Sequence, residues 1–412
     1  LSCKEKELPN ITMEEDVRVL ASDSLKGRET GSEGARMASS YLEQRLADLG
    51  LEPITQEGDY TQEFSFKPRR DPHSEIEFGN ATDSSLNAQN VLGLIDNGGT
   101  RTVVLGAHFD HLGMGGEGSL YRGEPAIHNG ADDNASGVAV LLKLAKMLKE
   151  RPQARDNYLI VFFSGEEMGL LGSNYFAKNP ALDLEQVPYM INLDMVGRLR
   201  EEKTLSVSGT GTTPIWPQML NSLNPGFDLV LSESGVGPSD HTSFYLQDIP
   251  VLHFFTGQHE DYHKPSDDAE LLNYEGMDLI AGYILELTEA MEAQEEVAFR
   301  TTKNESEEVP RFKVAMGVIP DYLFSGEGMR IDGVSEDKPA QKAGLQKGDI
   351  VVQLGDSTVV DMMSYMRALS VLESGEETTV VVTRDGEQVR AKIAFEKALP
   401  TSASNFRVFR LR

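Results

Sequence analysis

Histidine and acidic residues follow the apolar runs of this sequence, at the positions where the predicted strands end. They are His108 after residues 102–107, Glu166 and Glu167 after residues 158–163, Asp194 after residues 189–193, and His263 a short loop beyond residues 249–255. In open α/β sheets, ligands bind outside the carboxyl ends of the strands. Imidazole nitrogens and carboxylate oxygens are donors that zinc takes in catalytic sites. The spacing therefore predicts a metal site at one edge of a sheet.

A pair of adjacent acids, Asp132 and Asp133, precedes an apolar helix predicted at residues 138–148 and is flanked by small residues. Small residues let the backbone turn tightly, and acidic side chains are tolerated near a helix N-terminus. Two zinc ions about 3.5–4 Å apart can share a bridging carboxylate and a water. One acid of the pair can form that bridge, while each ion takes one histidine and one further carboxylate. The residues thus predict two Zn2+ per chain.

Two acids remain outside this count of ligands. Glu166 is free to take the proton from the water, which makes it the candidate general base. Asp110 is two residues after His108 and could hold the other nitrogen of that imidazole ring. The single cysteine, Cys3, can form neither an internal disulfide nor a thiolate zinc site. Histidines and carboxylates are therefore the ligands that any metal must use.

The elements that must position these side chains alternate between strands and helices. Besides the helix at 138–148, apolar spacing predicts helices at residues 13–22, 33–49, 169–177 and 278–292. Near-continuous apolar strands that alternate with helices are typical of a sheet covered on both faces. Residues 24–31, between the first two helices, have the composition of a loop. The sequence predicts an α/β fold.

Length and charge exclude several classes of protein. The 412 residues are more than one domain usually takes. The formal net charge of -28 at pH 7 argues against nucleic acid and against an anionic membrane surface as a partner. No run of about 18 apolar residues is present, so no membrane-spanning helix is predicted.

From about residue 13 to about residue 292, the sequence resembles the co-catalytic zinc aminopeptidases related to aminopeptidase Y and glutamate carboxypeptidase. The resemblance rests on the residues above together with the motifs at 192–197, 239–241 and 262–267. It implies a mixed, mostly parallel sheet with helices on both faces, the zinc exopeptidase fold. It implies these roles: Asp133 as the bridge, with a cis peptide bond to Asn134; His108 and Asp194 at one zinc; Glu167 and His263 at the other; Glu166 as the general base; and Asp240 and His241 as a supporting shell.

The function that this resemblance implies is an exported di-zinc peptidase. It would remove N-terminal residues from peptides with a metal-activated water and Glu166 as the base. A carboxypeptidase or dipeptidase of the same clan stays open, as does a glutaminyl cyclase, an acyltransferase with one zinc. A catalytically inactive, receptor-type relative would have lost metal ligands, and none is lost here. The inserted protease-associated domain of many relatives is not expected, because only about 50 residues separate the second helix from His108.

Other histidines could also be interpreted as metal ligands or site residues. Residues 259–263 match the H-E-x-x-H pattern, which holds a metal only on a helix. Gly257 and Pro265 interrupt any helix there, so His259 is predicted to be a loop residue. His111 and His128 either face the substrate or support the site from behind.

Residues 312–398 resemble a PDZ domain, chiefly through residues 338–351 and a groove helix predicted at 365–372. The glycine-containing loop with Gly326, Gly328 and Met329 would capture a terminal carboxylate, and a peptide C-terminus would add a strand beside it. A packing module that shapes the active-site rim is the alternative. The β-rich domain would follow the catalytic domain at 13–295 and a linker at 296–311.

The two ends of the sequence complete the predicted organisation. Leu1, Ser2 and Cys3 resemble the end of a bacterial lipoprotein signal, so residues 1–12 would be a tail with a lipid on Cys3. That lipid would be the contact with a membrane, and the enzyme would be extracytoplasmic. Residues 399–412 are predicted to be a polar tail.

Overall fold

The computed structural model of the chain describes residues 12–54, 58–67, 77–78, 85–116, 118–151, 154–302, 314–321, 324, 326–335 and 338–395. The chain forms two compact units, Leu1–Glu307 and Glu308–Arg412. Cys3 and the predicted tail at 399–412 lie outside the described residues. Among the helices of the described ranges, none combines the length and the apolar character that a membrane span requires.

Nine strands in the described part of the first unit form one mixed sheet. The strands are β1 (Thr61–Lys67), β2 (Glu77–Phe78), β3 (Leu86–Ile95), β4 (Thr102–His108), β5 (Asn157–Phe163), β6 (Met190–Leu193), β7 (Thr204–Ser208), β8 (Asp228–Leu231) and β9 (Val251–Phe255). Their order across the sheet is β2-β1-β3-β5-β4-β6-β9-β7-β8. The central strands β5, β4, β6 and β9 run parallel, so their carboxyl ends meet at one edge.

Five helices of this unit begin and end within four residues of the predicted bounds, and two shorter ones, Trp216–Ser222 and His241–Tyr245, were not predicted. They are α1 (Met13–Leu20), α2 (Glu33–Asp48), α3 (Gly137–Lys149), α4 (Leu171–Lys178), α5 (Trp216–Ser222), α6 (His241–Tyr245) and α7 (Tyr274–Met291). Short helical turns cover Asp23–Arg28 and Ala131–Ser136. The first of these turns falls in the segment at 24–31 that the sequence predicts as a loop.

Both faces of the sheet are buried, which confirms the predicted α/β architecture. Side chains alternate between two apolar clusters along β5: Tyr158 and Ile160 join the cluster that contains α1, α3 and α7 residues, whereas Leu159 and Val161 join a second cluster. Phe176 of α4 and Phe244 of α6 belong to that second cluster. Such two-sided burial explains why the strand reads as a continuous apolar run rather than as an alternating one.

The second unit is β-rich, as predicted. Its elements are β10 (Val318–Pro320), β11 (Met329–Val334), α8 (Pro339–Lys342), β12 (Ile350–Leu354), β13 (Ser357–Thr358), α9 (Met362–Ser370), β14 (Glu377–Arg384) and β15 (Glu387–Ala394). The sheet order is β10-β11-β12-β14-β15, and β13 pairs with β12. An apolar cluster that includes Val351, Tyr365 and Val380 forms its own core.

The predicted carboxylate loop of the second unit does not fit this topology. Strand β11, which begins at Met329, is paired with β10 on one edge and β12 on the other, so no peptide strand can add beside it. The amide of Gly328 already donates to the carbonyl of Val360 at 2.9 Å. Met329 is 1% exposed, and Gly326 precedes the strand in the same turn. The assignment of this loop to carboxylate capture is therefore wrong.

The segment predicted as a linker at 296–311 also differs in part from the structure. Phe299 packs against Tyr245, with 5.4 Å between ring centroids. The amide of Arg300 donates to Thr212 at 2.7 Å, and the amide of Thr302 donates to the Tyr245 hydroxyl at 2.9 Å. Residues 299–302 thus belong to the first unit. The charged composition of the wider segment 296–311 hides these contacts from a prediction based on periodicity.

Candidate metal centre

Two clusters of donor atoms share the carboxylate of Asp133. Its Oδ1 lies 3.4 Å from Nε2 of His108, and that nitrogen lies 3.3 Å from Oδ1 of Asp194. Its Oδ2 lies 3.1 Å from Nε2 of His263, which is 3.3 Å from Oε2 of Glu167. All five residues predicted as ligands therefore meet at the carboxyl edge of the parallel strands. Each oxygen of Asp133 faces a different cluster.

These distances and donor types fit a metal. Zinc binds imidazole nitrogen and carboxylate oxygen at about 2.0–2.2 Å, so two donors on one tetrahedral ion lie about 3.3 Å apart. The clusters of His108, Asp133 and Asp194 and of His263, Asp133 and Glu167 both have that spacing. The donors are nitrogen and oxygen only, which also agrees with a zinc centre of the catalytic type.

Backbone contacts hold Asp133 at the centre. It lies in the turn Ala131–Ser136, and its peptide bond to Asn134 is cis, as the family resemblance implies. The carboxylate of Asp267 accepts hydrogen bonds from the amides of Asp132 at 3.0 Å and Asp133 at 3.1 Å. Asp267 belongs to the motif at 262–267, so one loop supplies both the predicted ligand His263 and the acceptor that orients Asp133.

Polar partners behind the ligands fix their orientation. Oδ2 of Asp194 accepts from the Ser239 hydroxyl at 2.7 Å. Nδ1 of His263 lies 2.8 Å from the carbonyl oxygen of Gly118, which can only accept. Nδ1 therefore carries the proton, and Nε2 faces the donor cluster. Such outer contacts fix the tautomer and the ring orientation of ligating histidines.

Asp110 lies where the sequence predicts a supporting acid. Its Oδ1 is 3.6 Å from Nδ1 of His108 and accepts a hydrogen bond from the amide of Glu166 at 3.1 Å. Its Oδ2 accepts from the hydroxyl of Thr30 at 2.8 Å. One carboxylate thus connects the ends of β4 and β5 and helps to align His108 with Glu166.

His111 is a site residue whose place the sequence left open. Its Nδ1 lies 2.8 Å from Oε1 of Glu167 and 3.9 Å from Oδ2 of Asp133. It therefore contacts the oxygen of Glu167 that does not face His263. His263 has the two distances expected of a ligand. His111 also groups with Asp133 and Glu167 as a candidate metal site, and its hydrogen bond to Glu167 can orient that carboxylate. Its position three residues after His108 was the signal for this role.

The remaining predicted residues are Asp240, His241 and the loop residue His259, together with His128, whose role the sequence left open. Asp240 and His241 are fully buried, and the charge of Asp240 helps to raise the pKa of Glu166. Burial raises the pKa of Asp240 itself to about 7. His259 lies in a loop as predicted, with its Nε2 3.1 Å from Oδ2 of Asp132. His128 contacts the hydroxyl of Ser119 at 2.8 Å.

Burial and neighbouring charge shift the pKa values of the acids at the centre. Burial raises the pKa of Glu166 well above its usual range; His108 opposes this effect, and the carboxylates of Asp194 and Glu167 add to it. Burial also acts to raise the pKa of Glu167, but the contacts with His111 and His263 lower it to about 2. Glu167 is therefore ionised at neutral pH, whereas Glu166 can hold a proton.

We expect zinc binding to the metal-free chain to release protons and to tighten as pH rises. Burial acts to lower the pKa of His108 and His263, yet the surrounding carboxylates raise the first well above its usual range and the second to about 11. Both imidazoles are then protonated at neutral pH, while a ligating imidazole must be neutral. Titration calorimetry in two buffers of different ionisation enthalpy measures the release. Equal heats and a pH-independent Kd would contradict it.

Comparison with protein families divides the chain into two regions. Residues 90–288 match the model of Peptidase family M28, and residues 297–395 match that of the PDZ domain. Aminopeptidase YwaD of Bacillus subtilis is 31% identical over 172 residues, 38% of this chain and 37% of that protein. The probable lipoprotein aminopeptidase LpqL of Mycobacterium tuberculosis is 27% identical over 208 residues, 46% of this chain and 38% of that protein. The alignments thus cover less than two thirds of these relatives.

Solved structures share the fold of the first unit. The zinc aminopeptidase BSAP from Bacillus subtilis has a TM-score of 0.53 at 17% identity, over 72% of this chain and 98% of that one. The glutaminyl cyclase of Porphyromonas gingivalis has a TM-score of 0.53 at 20% identity, over 68% of this chain and 97% of that one. Because both kinds of enzyme have this fold, the fold alone does not separate a peptidase from a cyclase.

Proposed function

We propose that this chain is an aminopeptidase with two zinc ions, because residues 90–288 match the model of Peptidase family M28 and residues 297–395 match that of the PDZ domain. Its substrates are peptides with a free N-terminus, and Glu166 is the general base. The observation that carries the proposal is the position of Asp133. Its two carboxylate oxygens face two different pairs of donors, at 3.4 Å from His108 and 3.1 Å from His263.

The full donor set also favours two metals over one. Each cluster contributes one histidine and one terminal carboxylate besides the shared Asp133, so neither cluster lacks a donor. When bound, zinc supplies a Lewis acid for the peptide carbonyl and lowers the pKa of water at the site. A cyclase with one zinc would have no use for the second complete cluster.

Glu166 has the position and the acidity that a proton carrier needs. Its backbone amide donates to Asp110 at 3.1 Å, and burial raises the pKa of its carboxyl group well above the usual range, which strengthens its affinity for a proton. A base of that kind can remove a proton from water and then return it to the leaving amine. The adjacent Glu167 is a much weaker base, because its low pKa gives its carboxylate little affinity for a proton.

The charge of the centre favours a free N-terminus. Contacts with His108 and His263 overcome the effect of burial and hold the pKa of Asp133 well below its usual range, so Asp133 is ionised, as is Glu167. Ionised carboxylates attract the amine of a peptide N-terminus, and an acetylated N-terminus has no charge to offer. We therefore assign amine recognition to the carboxylates of the site.

The substrate prediction is tested with matched compounds and with metal analysis of the same sample. We expect leucine p-nitroanilide to be hydrolysed and its N-acetyl derivative to lose about 10- to 100-fold in kcat/KM, the cost of a lost contact to a charged group. Faster cleavage of N-acetylated dipeptides with a free C-terminus would instead identify a carboxypeptidase. Cyclisation of N-terminal glutaminyl peptides with one zinc per chain would identify a cyclase.

The PDZ domain extends the proposal to peptide partners. In the described part of the second unit, β10 and β15 are the outer strands of the sheet, so a peptide can add only along one of those two edges.

A location outside the cytoplasm belongs to the same proposal, because a relative is named a probable lipoprotein aminopeptidase. Cell fractionation tests the location, and recovery of the chain with the cytoplasm would contradict it.

A further inference from the structure

The segment between α1 and α2 has an unusual backbone for residues that are not glycine. Lys26 and Arg28 have φ values of 50° and 48°, on either side of Gly27 at 68°. Residues other than glycine seldom adopt this left-handed backbone conformation, and it persists where the surrounding contacts determine it. We call residues 26–30 the clasp. The sequence suggests only a loop here, yet the structure ties it to the metal centre.

The guanidinium of Arg28 makes the principal contact of the clasp. Arg28 is 1% exposed. It donates to the carbonyl oxygens of Phe109 at 2.7 Å, Asn129 at 2.7 Å and Gly130 at 3.0 Å, and also to that of Leu20. The planar guanidinium offers donors in a fixed geometry that a flexible ammonium does not have. One side chain thus connects the end of α1 with two separate loops.

Those two loops carry metal ligands. Phe109 directly follows His108, and Gly130 lies three residues before Asp133. The relative position of these two carbonyl groups therefore affects how far His108 stands from Asp133, now 3.4 Å between Nε2 and Oδ1. Arg28 contacts neither ligand side chain, so any effect must pass through the backbone of the two loops.

Other contacts of the clasp act on the same loops. The hydroxyl of Thr30 donates to Asp110 at 2.8 Å, and the amide of Gly113 donates to the carbonyl of Gly27 at 3.0 Å. A Cβ on Gly27 would lie 2.5 Å from the carbonyl oxygens of both Gly113 and His128. This close approach explains why glycine occupies position 27.

We propose that Arg28 is a positioning residue that holds the His108 loop and the Asp133 turn at the separation required for zinc. The proposal rests on the proposed zinc centre but not on the reaction that it performs. Burial lowers the pKa of Arg28 to about 10, while the carboxylates around it, including Asp110 and Asp133, favour its charged form. Arg28 is therefore cationic at neutral pH and keeps all its donors.

The charge and the geometry of Arg28 predict opposite results when it is replaced. A fixed positive charge beside the carboxylates repels an incoming cation, so its removal alone would strengthen zinc binding. Loss of the four carbonyl contacts lets the two loops separate and would weaken zinc binding. If Arg28 contributes only to general stability, its replacement would lower Tm without changing the zinc affinity of the folded chain.

The test measures zinc affinity of the full, metal-free chain by competition with a chromophoric chelator. We expect Arg28→Met to weaken zinc binding by about 10- to 100-fold, as for the loss of an outer contact of a metal ligand. The control is Arg45→Met, because Arg45 is 4% exposed and its carboxylate partner is Asp16, outside the centre. It should lower Tm and leave zinc affinity unchanged.

Arg28→Lys covers the case in which Arg28→Met does not fold. The ammonium keeps the charge but cannot hold four carbonyl groups at once, so zinc binding should weaken about tenfold. Wild-type or tighter affinity in either folded variant would overturn the proposal. If wild-type chain binds zinc but hydrolyses no peptide, the proposed function fails while the role of Arg28 stands. The two failures are thus distinguishable.

Discussion

We expect Glu166→Gln to lower kcat by about 100- to 10,000-fold, the usual contribution of a general acid–base group, and to leave the zinc content unchanged. Glutamine has the shape of glutamate but cannot accept and return a proton. Glu166 lies outside the two donor clusters, so its replacement removes no predicted ligand. The hydrogen bond from the amide of Glu166 to Asp110 is retained in the variant, because that amide belongs to the backbone.

Glu167→Gln is the matched control, because it makes the same substitution at the next residue. Glu167 faces His263 at 3.3 Å and His111 at 2.8 Å. Its loss of charge should remove zinc from that cluster, as plasma emission spectroscopy of the dialysed variant would measure. Turnover close to the wild-type rate in Glu166→Gln, or zinc loss equal to that of Glu167→Gln, would refute the role assigned to Glu166.

The second large effect is expected at Asp133. Asp133→Asn should weaken zinc binding by more than about 100-fold, the upper end of what loss of an outer contact costs, because both clusters lose a shared anionic donor at once. The asparagine amide can present one oxygen, but its nitrogen donates and cannot bind a metal. Zinc retained after dialysis against a chelator, together with residual activity, measures the loss.

Asp156→Asn separates this effect from the general cost of losing a buried carboxylate. Asp156 is 3% exposed and pairs with Arg101 at 2.7 Å. It precedes β5, whereas the metal centre lies beyond the carboxyl end of that strand. This variant should lose stability and keep its zinc. Full zinc content in Asp133→Asn would exclude Asp133 as the bridge.

The side chains of the candidate ligand set could be brought together from the sequence because their grouping depends on a local signal. Apolar runs such as residues 158–163 are buried on both sides, so they identify parallel strands at the centre of a sheet. Polar residues that follow such strands must then meet at one edge. His108, Glu167 and Asp194 could be identified as candidate ligands in this way. The family resemblance selected Asp133 rather than Asp132 as the candidate bridge.

Other features depend on contacts between distant parts of the chain. Arg28 donates to three carbonyl groups that lie 81 to 102 residues away, and no periodicity encodes such contacts. The role of His111 depends on which oxygen of Glu167 it meets. The carboxylate loop in the second unit was misplaced for a similar reason: glycines at 326 and 328 indicate a turn, but β10 has only three residues and gave no pattern. Without β10, β11 looks like a free edge.

The central claim is that Asp133 bridges two zinc ions in one chain. Zinc-edge anomalous diffraction from crystals of the wild-type chain tests it most directly, because it counts the ions and locates each one. We expect two peaks, one between His108 and Asp194 and one between Glu167 and His263, with Asp133 touching both. A single peak under saturating zinc, or two peaks that do not share Asp133, would contradict the account.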